Sequence, residues 1–127
     1  MKSASMARLI ECRPATPDDF DEPPVYRVRA WTAFKDGQKI GIGGLGFPPG
    51  MPVVLWAELT DELRKHPVTL HKIGLMGMRE ARAMGIKYMV ATTEVGFDAA
   101  ERWIARLGFI ETGEVQDSKK VHAWFAH

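Results

Sequence analysis

Between Pro67 and Met84 the chain changes its apolar period. Leu70, Ile73, Gly77, Ala81 and Met84 fall on one face at helical spacing. Pro67 suits a first helical turn, where its missing N–H has no partner to lose. Gly85 suits the position just past the helix end. On either side, VVLWAEL (53–59) and IKYMVATTEV (86–95) read as buried strands. A strand, a crossover helix and a second strand pack on one sheet with right-handed sense. Strands 53–59 and 87–95 are therefore expected to be parallel and adjacent, or nearly so.

Hairpins lead into this unit and close it. RLIECR (8–13) reads as a short first strand, and the proline-rich, acidic ATPDDFDEPP that follows reads as a loop. VYRVRAWTAFK (25–35) is a strand, and Asp36-Gly37 a two-residue hairpin turn into QKIGIGGLGF. PPGMP then breaks the chain, and TDELRKHP reads as a polar connector. Asp98 and Glu101 form a D-x-x-E cap before Ala100, Trp103, Ile104 and Leu107, and Gly108 ends that second helix. FIETGEV and KVHAWFA form a last hairpin. The predicted order, β–ββ–β–α–β–α–ββ, is an α+β fold. Its sheet is mixed and mostly antiparallel, with the β-α-β unit at its centre. Residues 8–127 read as one domain behind a flexible leader, 1–7.

GIGGLG (41–46) spells the G-x-G-x-x-G of dinucleotide-binding turns, but that turn needs a helix opening at its last glycine. Phe47-Pro48-Pro49-Gly50 cannot open one. Glycines inside a strand more often mark a bulge or close approach by other backbone.

Charge narrows the partners. With 17 basic and 16 acidic residues, net charge +1, bulk electrostatics argues for neither nucleic acid nor an anionic membrane. The single cysteine, Cys12, has no internal disulfide partner and suits a reducing compartment. The start has no apolar signal-like run, and nothing approaches the ~20 apolar residues of a membrane span. An intracellular location is expected, either cytoplasmic or inside a particle assembled there. His66/His71 and His122/His127 are each five apart, a spacing that does not set two imidazoles on one helix face, so no metal is expected.

The order of elements and two stretches of sequence resemble the GNAT (GCN5-related) N-acetyltransferases. FDAAERWIARLGFIETG (97–113) resembles the family's late helix running into a Gly-Phe strand start, with Ala100, Gly108 and Phe109 in matching places. LMGMREARAMGIKYM (75–89) resembles the helix behind the cofactor loop. AERWIARLGF also looks like the acetyltransferase-like internal virion proteins of short-tailed phages. The resemblance implies an acyl-CoA N-acyltransferase fold, acetyl-CoA or a related acyl-CoA as cofactor, and an amine acceptor, either a small molecule or a protein. Arg13 and Val25 leave almost no room for the family's first two helices. The acceptor side is therefore cut down or borrowed from another subunit of a homo-oligomer.

Carried over residue by residue, the resemblance nominates a site. Glu58 sits where a general base takes the acceptor's proton, with Glu94 a weaker second. The alternative for Glu58 is a solvated or paired carboxylate at a strand end. Backbone groups of Leu55 to Leu59 would form a rail for the pantetheine arm. The phosphate loop falls on residues 64–70, with Leu59, Arg64, Lys65, His66, Val68 and Thr69 as cofactor-binding candidates. His66 and Val68 replace the family's glycines, which leaves charge to do what close backbone approach does elsewhere. For Thr69 a capping role competes with a phosphate contact. Ile104 takes the place of the tyrosine that protonates the leaving thiolate. These departures keep open a rival expectation, a GNAT-like fold retained as a structural or interaction module without chemistry, packaged in a virion if phage-encoded. Trp31, Trp56, Trp103 and Trp124 read as packing residues.

Overall fold

A computed structural model describes residues 10–58, 60–96 and 98–127, with Glu94 described by its backbone alone. The expected leader, Leu59, Phe97 and the Glu94 side chain lie outside the described residues. Four strands come first: β1 Ile10–Pro14, β2 Arg27–Lys35, β3 Gln38–Phe47 and β4 Val53–Ala57. Helices α1 Asp61–Arg64 and α2 Pro67–Ala83 precede β5 Tyr88–Glu94, and α3 Asp98–Arg106 precedes β6 Ile110–Gln116 and β7 Lys119–Phe125. They build a seven-stranded sheet in the order β1-β2-β3-β4-β5-β7-β6, in which β4 and β5 form the parallel pair. The mixed α+β architecture expected from the sequence is the one observed.

Turn chemistry sets the hairpins. Asp36 and Gly37 both take positive φ (54° and 78°), as do Asp117 and Ser118 (50° and 65°). Two successive positive φ values give the turn whose twist matches that of the paired strands.

The polar connector is partly a helix. Thr60 caps α1: its hydroxyl accepts from the Leu63 N–H at 3.0 Å and donates to the Ile40 carbonyl. Leu63 is fully buried against β3. A four-residue helix carries too little periodicity to show as one, although Thr60 ahead of Asp61 and Glu62 was a usable start signal.

Both long helices share one face of the sheet. Leu45 and Leu55 are paired across β3 and β4 and face Gly77 of α2. Gly74 lies instead against Leu107 and Trp103, so it brings α2 up to α3 rather than to the sheet. Met78, Ala81, Met89, Ile104, Phe109 and Trp124 complete this core. Met84, expected on the buried face, is exposed; Gly74 and Met78 are buried in its stead. It follows the helix's last residue, where the chain already turns through Gly85.

The glycines of 41–46 are strand residues. A Cβ on Gly41 would stand 2.5 Å from the Leu63 side chain, and one on Gly44 only 2.0 Å from the Arg29 carbonyl oxygen. β2 and β3 shift register beside Gly41, at Ala33/Phe34. These glycines therefore serve close packing.

On the other face of the sheet, the segment between β1 and β2 holds one short 3-10 turn, Pro17–Asp19. Asp19 is buried there; its carboxylate accepts from the Thr32 hydroxyl and the Thr16 N–H, both at 2.9 Å. Lys39 Nζ donates to the Asp19 carbonyl at 2.7 Å. These bonds pin the loop over β2 and β3.

Candidate functional site

The parallel pair supplies the opening. β4 and β5 meet in register only at Val53↔Met89 and Val54↔Val90. Beyond Val54, β4 continues to Ala57 paired with β3, and beyond Val90, β5 continues to Glu94 paired with β7. The strands splay, and the inner edges of 55–57 and 91–94 make no ladder bonds to each other. Unpaired strand-edge N–H and C=O groups are suited to an extended amide-bearing chain. The expected rail is thus present over Leu55–Ala57; its last member, Leu59, is outside the described residues.

The chain reaches the start of α2 from the C-terminal end of β4, the end at which β4 has left β5. Of the amides approaching it, Lys65 N–H donates to Glu62 O (3.1 Å), His66 N–H to Leu63 O (2.9 Å) and Leu70 N–H to His66 O (3.0 Å). Pro67 has no N–H. Val68 and Thr69 keep N–H groups without an acceptor among the described residues. Among the described residues no side chain caps the turn, and Val68 is 82% exposed, so the first turn faces outward with the positive end of its dipole. Thr69 makes no capping bond.

The nominated cations are held close to acids. His66 Nε2 lies 2.8 Å from Glu62 Oε2, which Lys35 also approaches at 3.5 Å, and Lys65 lies 4.0 Å from Oε1. The His66 hydrogen bond first, then the two lysines, hold the Glu62 carboxyl below its ordinary range. Arg64 reaches Asp61 at 3.6 Å. Residues 61–65 therefore carry balanced charge. Positive excess comes from α3, whose Arg102 and Arg106 join Arg64, Pro67, Leu70 and Trp103 around a cavity of about 250 Å³ between α2 and α3. Sequence reasoning missed these two arginines. Their i, i+4 spacing in ERWIAR was the available signal, but which face α3 turns to α2 is a tertiary fact.

Glu58 extends the β4 register by one bond, its N–H donating to the Ile42 carbonyl at 2.9 Å. Alternation along the strand turns it to the face opposite the helices, with Trp56. It is half-buried and has no ion pair or side-chain hydrogen bond among the described residues. Glu94 ends β5 opposite Lys119. Ile104 and Trp103 are buried in the core. Cys12 is half-buried on β1, its thiol pushed up by burial against the opposing pull of Lys72, which makes it a poor nucleophile. Among the described residues no group of three or more His, Cys, Asp or Glu is placed to hold a metal ion. No helix among them is long and apolar enough to cross a membrane.

No family pattern matches the chain by sequence, and no curated protein matches it either. Solved structures do. The IAA acetyltransferase of Bacillus cereus superposes with a TM-score of 0.71 at 10% identity, over 93% of this chain and 100% of its own. An acetyltransferase of the GNAT family from Streptococcus pneumoniae gives 0.67 at 12% identity, over 93% and 100%. An N-acetyltransferase of Staphylococcus aureus gives 0.67 at 10%, over 92% and 97%. At such identities the likeness is one of fold. The chain has the acyl-CoA N-acyltransferase fold of the GNAT proteins, with its first two helices reduced to a loop.

Proposed function

We propose that this protein is an N-acyltransferase that moves an acetyl or related acyl group from coenzyme A to an amine. The observation that carries the reading is the splay of β4 from β5, with an open helix start following the end of β4 that has left β5. The residues present fit an acyl-CoA. Backbone groups of Leu55–Ala57 would hold its amide arm. The Val68 and Thr69 N–H groups, with Arg64, Arg102 and Arg106, would hold its phosphates. Lys65 and His66 would act at longer range.

When bound, acyl-CoA supplies a thioester carbonyl as electrophile and a thiolate as leaving group. Glu58 accepts a proton from the acceptor ammonium, directly or through one water, and so frees the nitrogen lone pair. The C–N bond then forms as the C–S bond breaks. The nitrogen sheds its second proton to solvent as the C–S bond breaks, and because Ile104 offers no proton to the departing sulfur, the thiolate is protonated from that same solvent. Glu94 is the second candidate base.

The test is thiol release from acetyl-CoA over a panel of primary amines, with binding measured separately by thermal shift. Glu58→Gln is expected to lower kcat/KM about 10²–10⁴-fold, the usual worth of a general base, while leaving the acetyl-CoA shift intact. Unchanged turnover in that variant overturns the role of Glu58.

A second reading has its own observation. The loop amides that cradle phosphate in a glycine-rich turn are spent inside α1 here, which favours a scaffold or interaction module, virion-borne or otherwise. Absence of any acetyl-CoA shift at millimolar concentration would select it.

A further inference from the structure

On the face of the sheet away from α2 and α3, Phe20, Pro24, Val25, Tyr26, Val28 and Trp56 line a cavity of about 240 Å³. We infer that this cavity takes the apolar body of the acceptor, and that the acceptor is a small ring-bearing primary amine. Resting on the acyltransferase reading above, the inference gives that site its substrate class.

The walls define the body. Phe20 and Trp56 stand 6.2 Å apart, ring centre to ring centre, tilted by 43°. The Tyr26 ring lies over Gly46, where a Cβ would come within 2.6 Å of it, so the strand glycine gives the ring its place. No lining residue carries a charge. A cavity of about 150 Å³ holds benzene. The space here is a wider, open cleft with Val25 exposed at its edge, which suits one substituted ring or a fused pair laid against Phe20 and Trp56, and a hydrated polyamine would lose water there without recovering its hydrogen bonds.

The rim defines the charge. Phe20 is carried by Asp18-Asp19-Phe20-Asp21-Glu22. Asp19 is turned inward to Thr16 and Thr32, and Lys39 lies 3.6 Å from Asp21. Asp18 and Glu22 are exposed and make no ion pair among the described residues. The nearby Arg13 and Arg27 lie over the rings of Phe34 and Phe47. The four acids Asp18, Asp19, Asp21 and Glu22 stand against the three cations Lys39, Arg13 and Arg27, so the entrance keeps a small acidic excess and favours an ammonium over a carboxylate.

The strand defines the reach. Glu58 follows Trp56 by two residues on the same face, about 7 Å further along β4. Both lie beyond Val54, on the stretch that β5 has left. A ring against Trp56 with its nitrogen at Glu58 needs a linker of two or three carbons.

Calorimetric titration of the full chain, without acetyl-CoA, reads this directly. 2-Phenylethylamine is expected to bind at least about tenfold more tightly than propylamine, which lacks the ring, or 2-phenylethanol, which lacks the charge. Phe20→Ala should lower that affinity about tenfold. Because Phe20→Ala could loosen the loop, Asp18→Asn with Glu22→Gln provides a second variant on exposed positions. It should weaken 2-phenylethylamine and flatten its salt dependence while leaving 2-phenylethanol unchanged. Equal binding of propylamine, tighter binding of a short peptide with an N-terminal Phe, or indifference to both variants overturns the inference. If 2-phenylethylamine fails while acetyl-CoA still shifts the melting temperature, the substrate class falls and the acyltransferase reading stands. If 2-phenylethylamine binds and acetyl-CoA does not, that reading falls and the amine site stands.

Discussion

Leu63 and Gly41 depend on each other. The leucine is fully buried, and the space it fills exists because β3 has no Cβ at position 41. Leu63→Ala is expected to cost about 2–5 kcal/mol, the range for emptying a packed leucine site, read by urea unfolding. Gly44→Ala should be worse tolerated than Gly41→Ala. Its methyl would meet the Arg29 carbonyl, part of the β2 backbone, whereas Gly41 faces a side chain that has rotamers to use. Asp19 acts through its charge. The Thr16 backbone N–H first, then the Thr32 hydroxyl and the Arg13 charge, hold its carboxyl below the ordinary 3.8. The folded state therefore favours the ionised form, and the unfolded state takes up the proton first as pH falls. The stability this adds is fully present above about pH 5 and is lost as pH drops through 3.8 and on through the lower folded value. Denaturant unfolding of wild type and Asp19→Asn should differ most near neutrality and converge below the ordinary carboxylate range. A gap that stays constant with pH would assign the bonds no charge dependence.

At the scale of elements, what the sequence revealed and what it hid follow from how local each signal is. Asp36-Gly37 names its turn because two residues decide it. The long α2 shows its period over many turns. The start of α3 is less sharply marked. Asp98 is its first helical residue rather than its cap. The splay of β4 from β5 has no local code: VVLWA reads the same zipped or open, and the stop of the ladder after Val54↔Val90 is a tertiary fact. The same holds for the α3 arginines. Arg102→Ala with Arg106→Ala is expected to weaken acetyl-CoA about tenfold in dilute buffer and less at high salt, since exposed charges act through a screened field. Calorimetry at two ionic strengths checks it. An affinity unaltered at both would move the phosphates away from the α2–α3 cavity.

As a whole, the molecule is asymmetric about its sheet. α2 and α3 cover one face, and among the described residues the other carries the loop between β1 and β2, tied down through Asp19 and Lys39. Tyr88, Ile110 and Phe125 lie exposed on the part of that second face built from β5, β7 and β6. The glycines, the inward-facing Leu45 and Leu55 and the interrupted parallel ladder all meet near the middle of β4, where the sheet opens between its two halves. Backbone amide resonances there report occupancy most directly. On titration with acetyl-CoA, saturable shifts should concentrate at residues 55–58, 68–70 and 91–93 and spare β1 and β6. Amides of 55–58 that do not move at saturating acetyl-CoA, or shifts confined to another part of the sheet, would contradict a cofactor seat between β4 and β5.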